Sequence, residues 1–238
     1  MSSFIIYIVV DIIAVVITCI AQGMVTSAYK RYRQEPSSLG ITGAEVAKRI
    51  LRDNDIEDIT VGRVEGELTD HYYHRKRQLN LSDGIYDGTS IAALAVSAHE
   101  SGHAIQYKQG YFMIKVRNVV IPVTNIANKM FIPLLIFGLI ASAISTTNTF
   151  GIWFIYGSLA LLGLSVLLNL VTLPVEFDAS RRAMKELREN FNLSDEELYG
   201  ARKMLTAAAL TYVAALAVSI LYLLRFLLIF AEFFSNNK

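Results

Sequence analysis

The chain has a single cysteine, Cys19, and it lies in an apolar run, so neither a disulfide framework nor a cysteine metal cluster is available. It has almost no net charge, +1 over 238 residues. The basic excess that phosphate binding puts on a domain is therefore missing, and no nucleic-acid partner is expected. Histidine is scarce too, with only His71, His74, His99 and His103. There is no internal repeat and no low-complexity segment; 33–41, "RQEPSSLGI", is the one linker-like piece. With cysteine excluded, a bound metal must take its ligands from His, Glu and Asp.

What the chain has in quantity is apolar surface. Hydrophobic residues make up 53% of it and the mean hydropathy is +0.41, too apolar for an ordinary soluble domain. Four stretches, about 4–23, 119–145, 152–173 and 205–231, reach the roughly 20 helical residues that cross about 30 Å of hydrocarbon. The first opens "MSSFIIYIVV", with no positive n-region, and runs into "GMVTSAYKRYR"; it reads as a retained anchor, not a signal peptide. The second is interrupted by Asn125, Asn128 and Lys129, so its first third is expected at the interface or against protein.

Lysine and arginine set the expected orientation. Thirteen lie between the first and second spans and six between the third and fourth, 19 of the 22 in the chain, while the connection "STTNTFG" has none. Both basic loops are expected in the cytoplasm and the N-terminus outside. The expected organisation is an N-terminal transmembrane anchor over 1–28, a cytoplasmic domain over 29–118, two transmembrane helices over 119–173, a cytoplasmic helix over 174–204 and a last transmembrane helix over 205–238. The fold class is a mainly α integral membrane protein of about four transmembrane helices with a small α+β cytoplasmic domain.

Within the large loop, Thr42-Gly-Ala-Glu45 is a capping-box pattern that opens a helix over about 43–53. The alternating, β-rich "DITVGRVEG" (58–66) and "KRQLNLS" (76–82), joined by the polar "ELTDHYYHRK", read as a hairpin or antiparallel pair. "SDGIYDGTS" supplies turn residues, with Thr89 or Ser90 as the N-cap of a helix over about 90–108.

That helix carries "AVSAHESGHAIQ" (95–106). Residues four apart share a helix face, so His99 and His103 can aim ring nitrogens at one ion. Glu100 sits about 100° round the helix, where it can touch a water on that ion without ligating it; this is the H-E-x-x-H arrangement of metalloproteases. Composition alone produces such a match about 0.003 times in a chain like this. A catalytic zinc takes three protein ligands and leaves one position open. His71 and His74 are one source for the third; Glu176, in "LPVEFDASRRAMKELREN" (173–190), is better placed, at the cytoplasmic end of the third span.

The segment "LTDHYYHRKRQLNLSDGIYDGTSIAALAVSAHESGHAIQ" followed by "LPVEFDASRRA" resembles the YugP-type bacterial membrane zinc metallopeptidases, also called neutral zinc metallopeptidases. The resemblance runs from the first span to the last. It implies a gluzincin-like cytoplasmic domain in a bacterial cell membrane protein, with one Zn2+ per chain on His99, His103 and Glu176 and with Glu100 as the catalytic acid/base. More distant HtpX-type proteases, similar in layout, carry an Asp four residues after the ligand glutamate. Here that position is Ser180, with Asp178 nearby on a different helical face, so the group that supports the histidines departs from that pattern.

The chemistry expected is zinc-assisted hydrolysis of peptide bonds by an endopeptidase at the cytoplasmic face, acting on peptides or membrane proteins in the lipid bilayer. His71, Tyr72 and His74 are candidates for stabilising the transition state, and Asp178 and Ser180 for supporting the ligands. Gln78, Leu79, Asn80 and Leu81, if they form an edge strand beside the motif helix, could pair with an extended substrate. Three rivals stand against this. The motif helix is too short to span, which counts against an intramembrane site. A non-catalytic scaffold with a structural zinc would ordinarily have four protein ligands. Asp11 and Arg225 are ionisable residues in spans, but without inverted repeats they make a poor transporter. Arg181, Arg182 and Lys185 read as topological or lipid-facing charge.

Overall fold

The computed structural model of the chain describes residues 2–144 and 149–236. Four of the seven residues of the "STTNTFG" connection, 145–148, lie outside the described residues. The protein is mostly helical with one small sheet: α1 (Ser2–Tyr32), α2 (Gly43–Asp53), β1 (Thr60–Val64), β2 (His71–Tyr73), β3 (Gln78–Ser82), the single turn α3 (Asp83–Tyr86), α4 (Ile91–Lys108), α5 (Phe112–Ile144), α6 (Thr149–Asn190) and α7 (Asp195–Asn236). Four of these, α1, α5, α6 and α7, are long and apolar enough to cross a membrane. Each runs beyond the stretch legible as a span. The acidic and basic segment after Pro174 is not a separate helix but the continuation of α6, with Pro174 inside it.

The chain divides into two compact units. The first takes in residues 1–20, 115–172 and 212–238. Its helices expose aliphatic and aromatic side chains such as Ile5, Ile12, Ile126, Phe137 and Leu228, as expected where the surrounding solvent is hydrocarbon. Leu135, Ile155 and Phe230 form its small buried cluster, with Phe131 edge-on to Phe226 at 5.3 Å between ring centroids. The two ionisable residues noted in its spans meet: Arg225 Nη1 donates to Asp11 Oδ1.

The second unit takes in residues 21–114 and 173–211. The capping box is complete: the Glu45 backbone N–H donates to Thr42 Oγ1 at 3.2 Å, and the Thr42 N–H donates to Glu45 Oε2 at 2.7 Å. α2 buries Val46, Ala47, Ile50 and Leu51 on one face, the i, i+3, i+4 stripe of an amphipathic helix. Gly43 lets this helix start against its neighbours, since a Cβ there would lie 2.3 Å from the Ile85 carbonyl oxygen and 2.5 Å from Ser97 Oγ. The 33–41 piece is tied down rather than loose. Ser37 N–H donates to the Thr89 carbonyl, Ile91 N–H donates to the Glu35 carbonyl, and Glu197 accepts from Ser37 Oγ and from Ser38 N–H and Oγ.

The sheet corrects the sequence reading. Its order is β1-β3-β2, with β1 and β3 parallel and β2 antiparallel to β3. The polar connection itself contains strand β2, so the chain reverses once more than a simple hairpin and brings β3 back alongside β1 in the same direction. Arg77, at φ 53°, makes the tight reversal between β2 and β3. Gln78, Leu79, Asn80 and Leu81 therefore lie on the central strand, not an edge. β1 pairs along all of 78–82 and β2 along 78–80, and Leu79 and Leu81 are completely buried. The backbone groups that a substrate would have used on β3 are already taken.

Candidate metal centre

α4 is the buried axis of the second unit. Ser90 caps it, its Oγ accepting from Ala93 N–H at 3.3 Å. Small residues follow: Ala92, Ala93, Ala95, Ser97, Ala98, Ser101 and Ala104 are all 1% exposed or less. A helix built of such residues can be approached closely on every side. At Gly102, between the two motif histidines, a Cβ would lie 2.6 Å from the carbonyl oxygen of Ala179. This contact presses α4 against α6 at the level of Glu176.

The consequence is a convergence of three donors. His99 Nε2 lies 3.2 Å and His103 Nε2 3.5 Å from the same oxygen, Glu176 Oε2. The imidazole rings are 4.8 Å apart and nearly perpendicular at 81°. One ligand atom from each of the three residues falls within 4.8 Å of the others. Two imidazoles and a carboxylate are a donor set that suits zinc, and the ring nitrogens facing away from the cluster have partners of their own. Ser180 Oγ is 3.2 Å from His99 Nδ1, and Gln106 Oε1 is 3.0 Å from His103 Nδ1. The residues present therefore fit the metal. Glu100 is buried beside them, 8% exposed. Burial opposes the His103 imidazolium, but the Glu176 carboxylate outweighs it, with Glu100 and Gln106 adding to the effect, and the ring's pKa is held above the usual histidine value.

Of the other residues singled out in the sequence, Ser180 reaches His99 as just described. Asp178 Oδ2 accepts from Gln106 Nε2 at 3.0 Å, and so reaches His103 through that glutamine. Arg181 and Arg182 both donate to this carboxylate. Tyr72 and His74 gather round Tyr107, four residues past His103 on α4: His74 stacks on it at 3.8 Å and Tyr72 meets it edge-on at 5.6 Å. Burial lowers the His74 pKa, with Arg77 adding to it, and burial raises that of Tyr72. His71 is exposed, with Nδ1 2.8 Å from the Thr69 carbonyl oxygen and Nε2 3.1 Å from Asn80 Nδ2. It is not among the three converging donors.

Two residues escaped the sequence reading. Gln106 stands three places after His103, and that i, i+3 spacing was the available signal; a completely buried glutamine in a helix of alanines has to be satisfied by something. Asp70, just before β2, accepts from Ser82 N–H at 2.7 Å and Ser82 Oγ at 3.1 Å. Burial raises its pKa against those hydrogen bonds, and the negative charge of Glu100 adds to the rise. No local sequence pattern announces this neighbour of Glu100.

Comparison with known proteins agrees with the donor set. Residues 6–231 match the family described as "Putative neutral zinc metallopeptidase", and the chain belongs to that family. It is also similar to a protein of Bacillus subtilis (strain 168) named "Putative membrane protease YugP", at 42% identity over 210 residues, which covers 88% of this chain and 90% of the relative. No solved structure matches the chain.

Proposed function

We propose that the protein is a zinc-dependent endopeptidase that hydrolyses peptide bonds at the cytoplasmic face of the bacterial cell membrane. The observation that carries this is the meeting of His99 Nε2, His103 Nε2 and Glu176 Oε2 around one point, with Glu100 buried next to His99. One zinc per chain would be held by those three atoms. Zinc in such a site supplies Lewis acidity, which favours ionisation of water near neutral pH and polarises a carbonyl. Glu100 takes the proton of the attacking water and passes it to the leaving amine. Ser180 and Gln106 hold the two imidazoles in place, and the packing of α4 on α6 at Gly102 brings the carboxylate to them. The family's description and the relative's name, which says membrane protease, support the same chemistry.

In this reading the second unit is the gluzincin-like cytoplasmic domain, the four long apolar helices sit in the lipid bilayer, and substrates are peptides or exposed segments of membrane proteins. The basic loops support the orientation. Tyr72 and His74, packed on Tyr107 of α4, are the candidates for contact with substrate. The alternative is a non-catalytic scaffold in which zinc only ties α4 to α6. Purified protein, wild type and Glu100→Gln, separates the two: zinc content is measured together with cleavage of an unfolded protein. Stoichiometric zinc in both, with cleavage lost in the variant, is the expected result. Zinc in both with equal cleavage would remove Glu100 from the chemistry, zinc in both with no cleavage would favour the scaffold, and a wild type without zinc would end the metal reading.

A further inference from the structure

We infer that Gln106 is a positioning residue that fixes which nitrogen of His103 faces the metal, and that the Val175 carbonyl and Asp178 together set the direction in which the Gln106 amide points. The inference rests on the reading of His103 as a zinc ligand. Gln106 is completely buried, and its side chain has three partners. Nε2 lies 2.7 Å from the carbonyl oxygen of Val175 and 3.0 Å from Asp178 Oδ2. Oε1 lies 3.0 Å from His103 Nδ1.

The polarity of this chain of contacts follows from its ends. A backbone carbonyl can only accept, and an ionised carboxylate can only accept. Asp178 already accepts from the guanidinium groups of Arg181 and Arg182, one on each oxygen, and so meets the amide as an acceptor. The end of the amide that faces Val175 and Asp178 must therefore be the NH2 group, and its two protons are used there. The other end must be the carbonyl, which accepts. His103 Nδ1 is then required to carry a proton, and Nε2 is the nitrogen left to present a lone pair toward Glu176 and a metal. A hydrogen bond at the far ring nitrogen normally fixes tautomer and ring orientation at a metal site and raises the basicity of the ligand. In this protein an amide does that work in place of a carboxylate, by relaying the direction imposed by the Val175 carbonyl and Asp178.

His99 is held differently. Its partner, Ser180 Oγ, is a hydroxyl that can donate or accept, so it imposes no polarity. The directional constraint on the histidine pair enters through His103, and the pattern around Asp178 accounts for two arginines that would otherwise have no role at the site.

The test is zinc affinity, measured by chelator competition on the full chain in detergent, with thermal unfolding of the metal-free protein as the control for folding. Gln106→Met keeps the size and removes the amide; its affinity is expected to fall about 10–100-fold, the usual effect of removing such a partner. Gln106→Glu places a second carboxylate against Asp178 and is expected to lose at least as much. Adding Asp178→Asn to Gln106→Glu exchanges acid and amide between the two positions, so that the amide at 178 can donate to the carboxylate at 106; the Val175 carbonyl still faces an oxygen, and part of the loss should be recovered. A structural filler would not respond to that exchange. Affinity in Gln106→Met within about twofold of wild type, or a double variant no tighter than Gln106→Glu alone, would overturn the inference. If Gln106→Met does not fold, Gln106→Glu with and without Asp178→Asn decides: a double variant tighter than the single one supports the relay, and one no tighter overturns it. A wild type that binds no zinc is a failure of the metal reading itself and is distinguished at the first titration.

Discussion

Asp70 and Gly102 are the residues whose identities the site constrains in opposite ways. The fold raises the pKa of Asp70, through burial first and the Glu100 charge in addition. A carboxyl with a raised pKa in the folded state contributes its stability only below its unfolded value, and that stability is lost as pH rises through the folded value. At neutral pH the ionised Asp70 therefore costs stability. Asp70→Asn, which can still accept from Ser82, is expected to unfold at higher temperature than wild type at pH 7, with the difference vanishing as the pH is lowered past the ordinary range of an aspartate. A variant less stable at pH 7 would refute this. Gly102 has no room for a side chain. Gly102→Ala is expected to cost about 1–3 kcal/mol, the range for overpacking, and to weaken zinc binding as well, because the Ala179 carbonyl it displaces stands next to Ser180 and three residues from Glu176. A melting temperature and zinc affinity unchanged from wild type would mean that the helices part without consequence.

Helix and strand boundaries divide into those that local chemistry decides and those that it does not. The start of α2 at Gly43 and that of α4 at Ile91, after its cap Ser90, were legible, because caps are local: at α2 a hydroxyl and a carboxylate three residues apart satisfy each other's backbone. Thr42→Ala removes one half of that exchange and is expected to cost about 1 kcal/mol, read as a lower melting temperature with zinc stoichiometry unchanged. The sheet was not legible to the same degree. Both outer segments, 58–66 and 76–82, do contain strands, but the three residues His71–Tyr73 inside a polar connection are too short and too polar to signal one. That short strand reversed the pairing and moved Gln78, Leu79, Asn80 and Leu81 from a supposed edge to the centre. The ends of the long helices were missed for a related reason. Hydropathy marks where a helix is apolar, while α6 continues through Pro174 into a charged segment whose backbone is helical all the same.

At the scale of the whole molecule, one pairing and the orientation can be tested without reference to catalysis. In the first unit, Asp11 and Arg225 answer each other across α1 and α7. An ion pair among apolar helices is costly to break on one side only, since a lone charge remains. Arg225→Asp is expected to lower the thermal stability in detergent, and the exchange Asp11→Arg with Arg225→Asp to restore most of it. A double variant no better than the single one would mean that the two residues act separately. The orientation proposed from the basic loops is tested by single cysteines at Glu67 and Arg188, both exposed, in a chain whose own Cys19 is replaced by alanine. An impermeant maleimide should label both only after the cells are permeabilised, and labelling of either in intact cells would reverse the orientation.

The sequence by itself determined the apolar spans, the local caps and the His99-Glu100-x-x-His103 pattern, because each is written in residues within a turn or two of one another or in a run of uniform composition. The resemblance it carried reached the family. What it did not contain was the set of partners brought from afar. Glu176 could be nominated, but its meeting with the histidine pair depends on how closely α4 and α6 approach at Gly102. Gln106 was in plain view, yet its use depends on Val175 and Asp178, some seventy residues away. Asp70 owes its nearness to Glu100 to a sheet whose order no local pattern encodes. Tertiary structure decided these because a buried polar group is satisfied by whatever acceptor or donor the packing delivers, and packing is a property of surfaces that are remote in sequence.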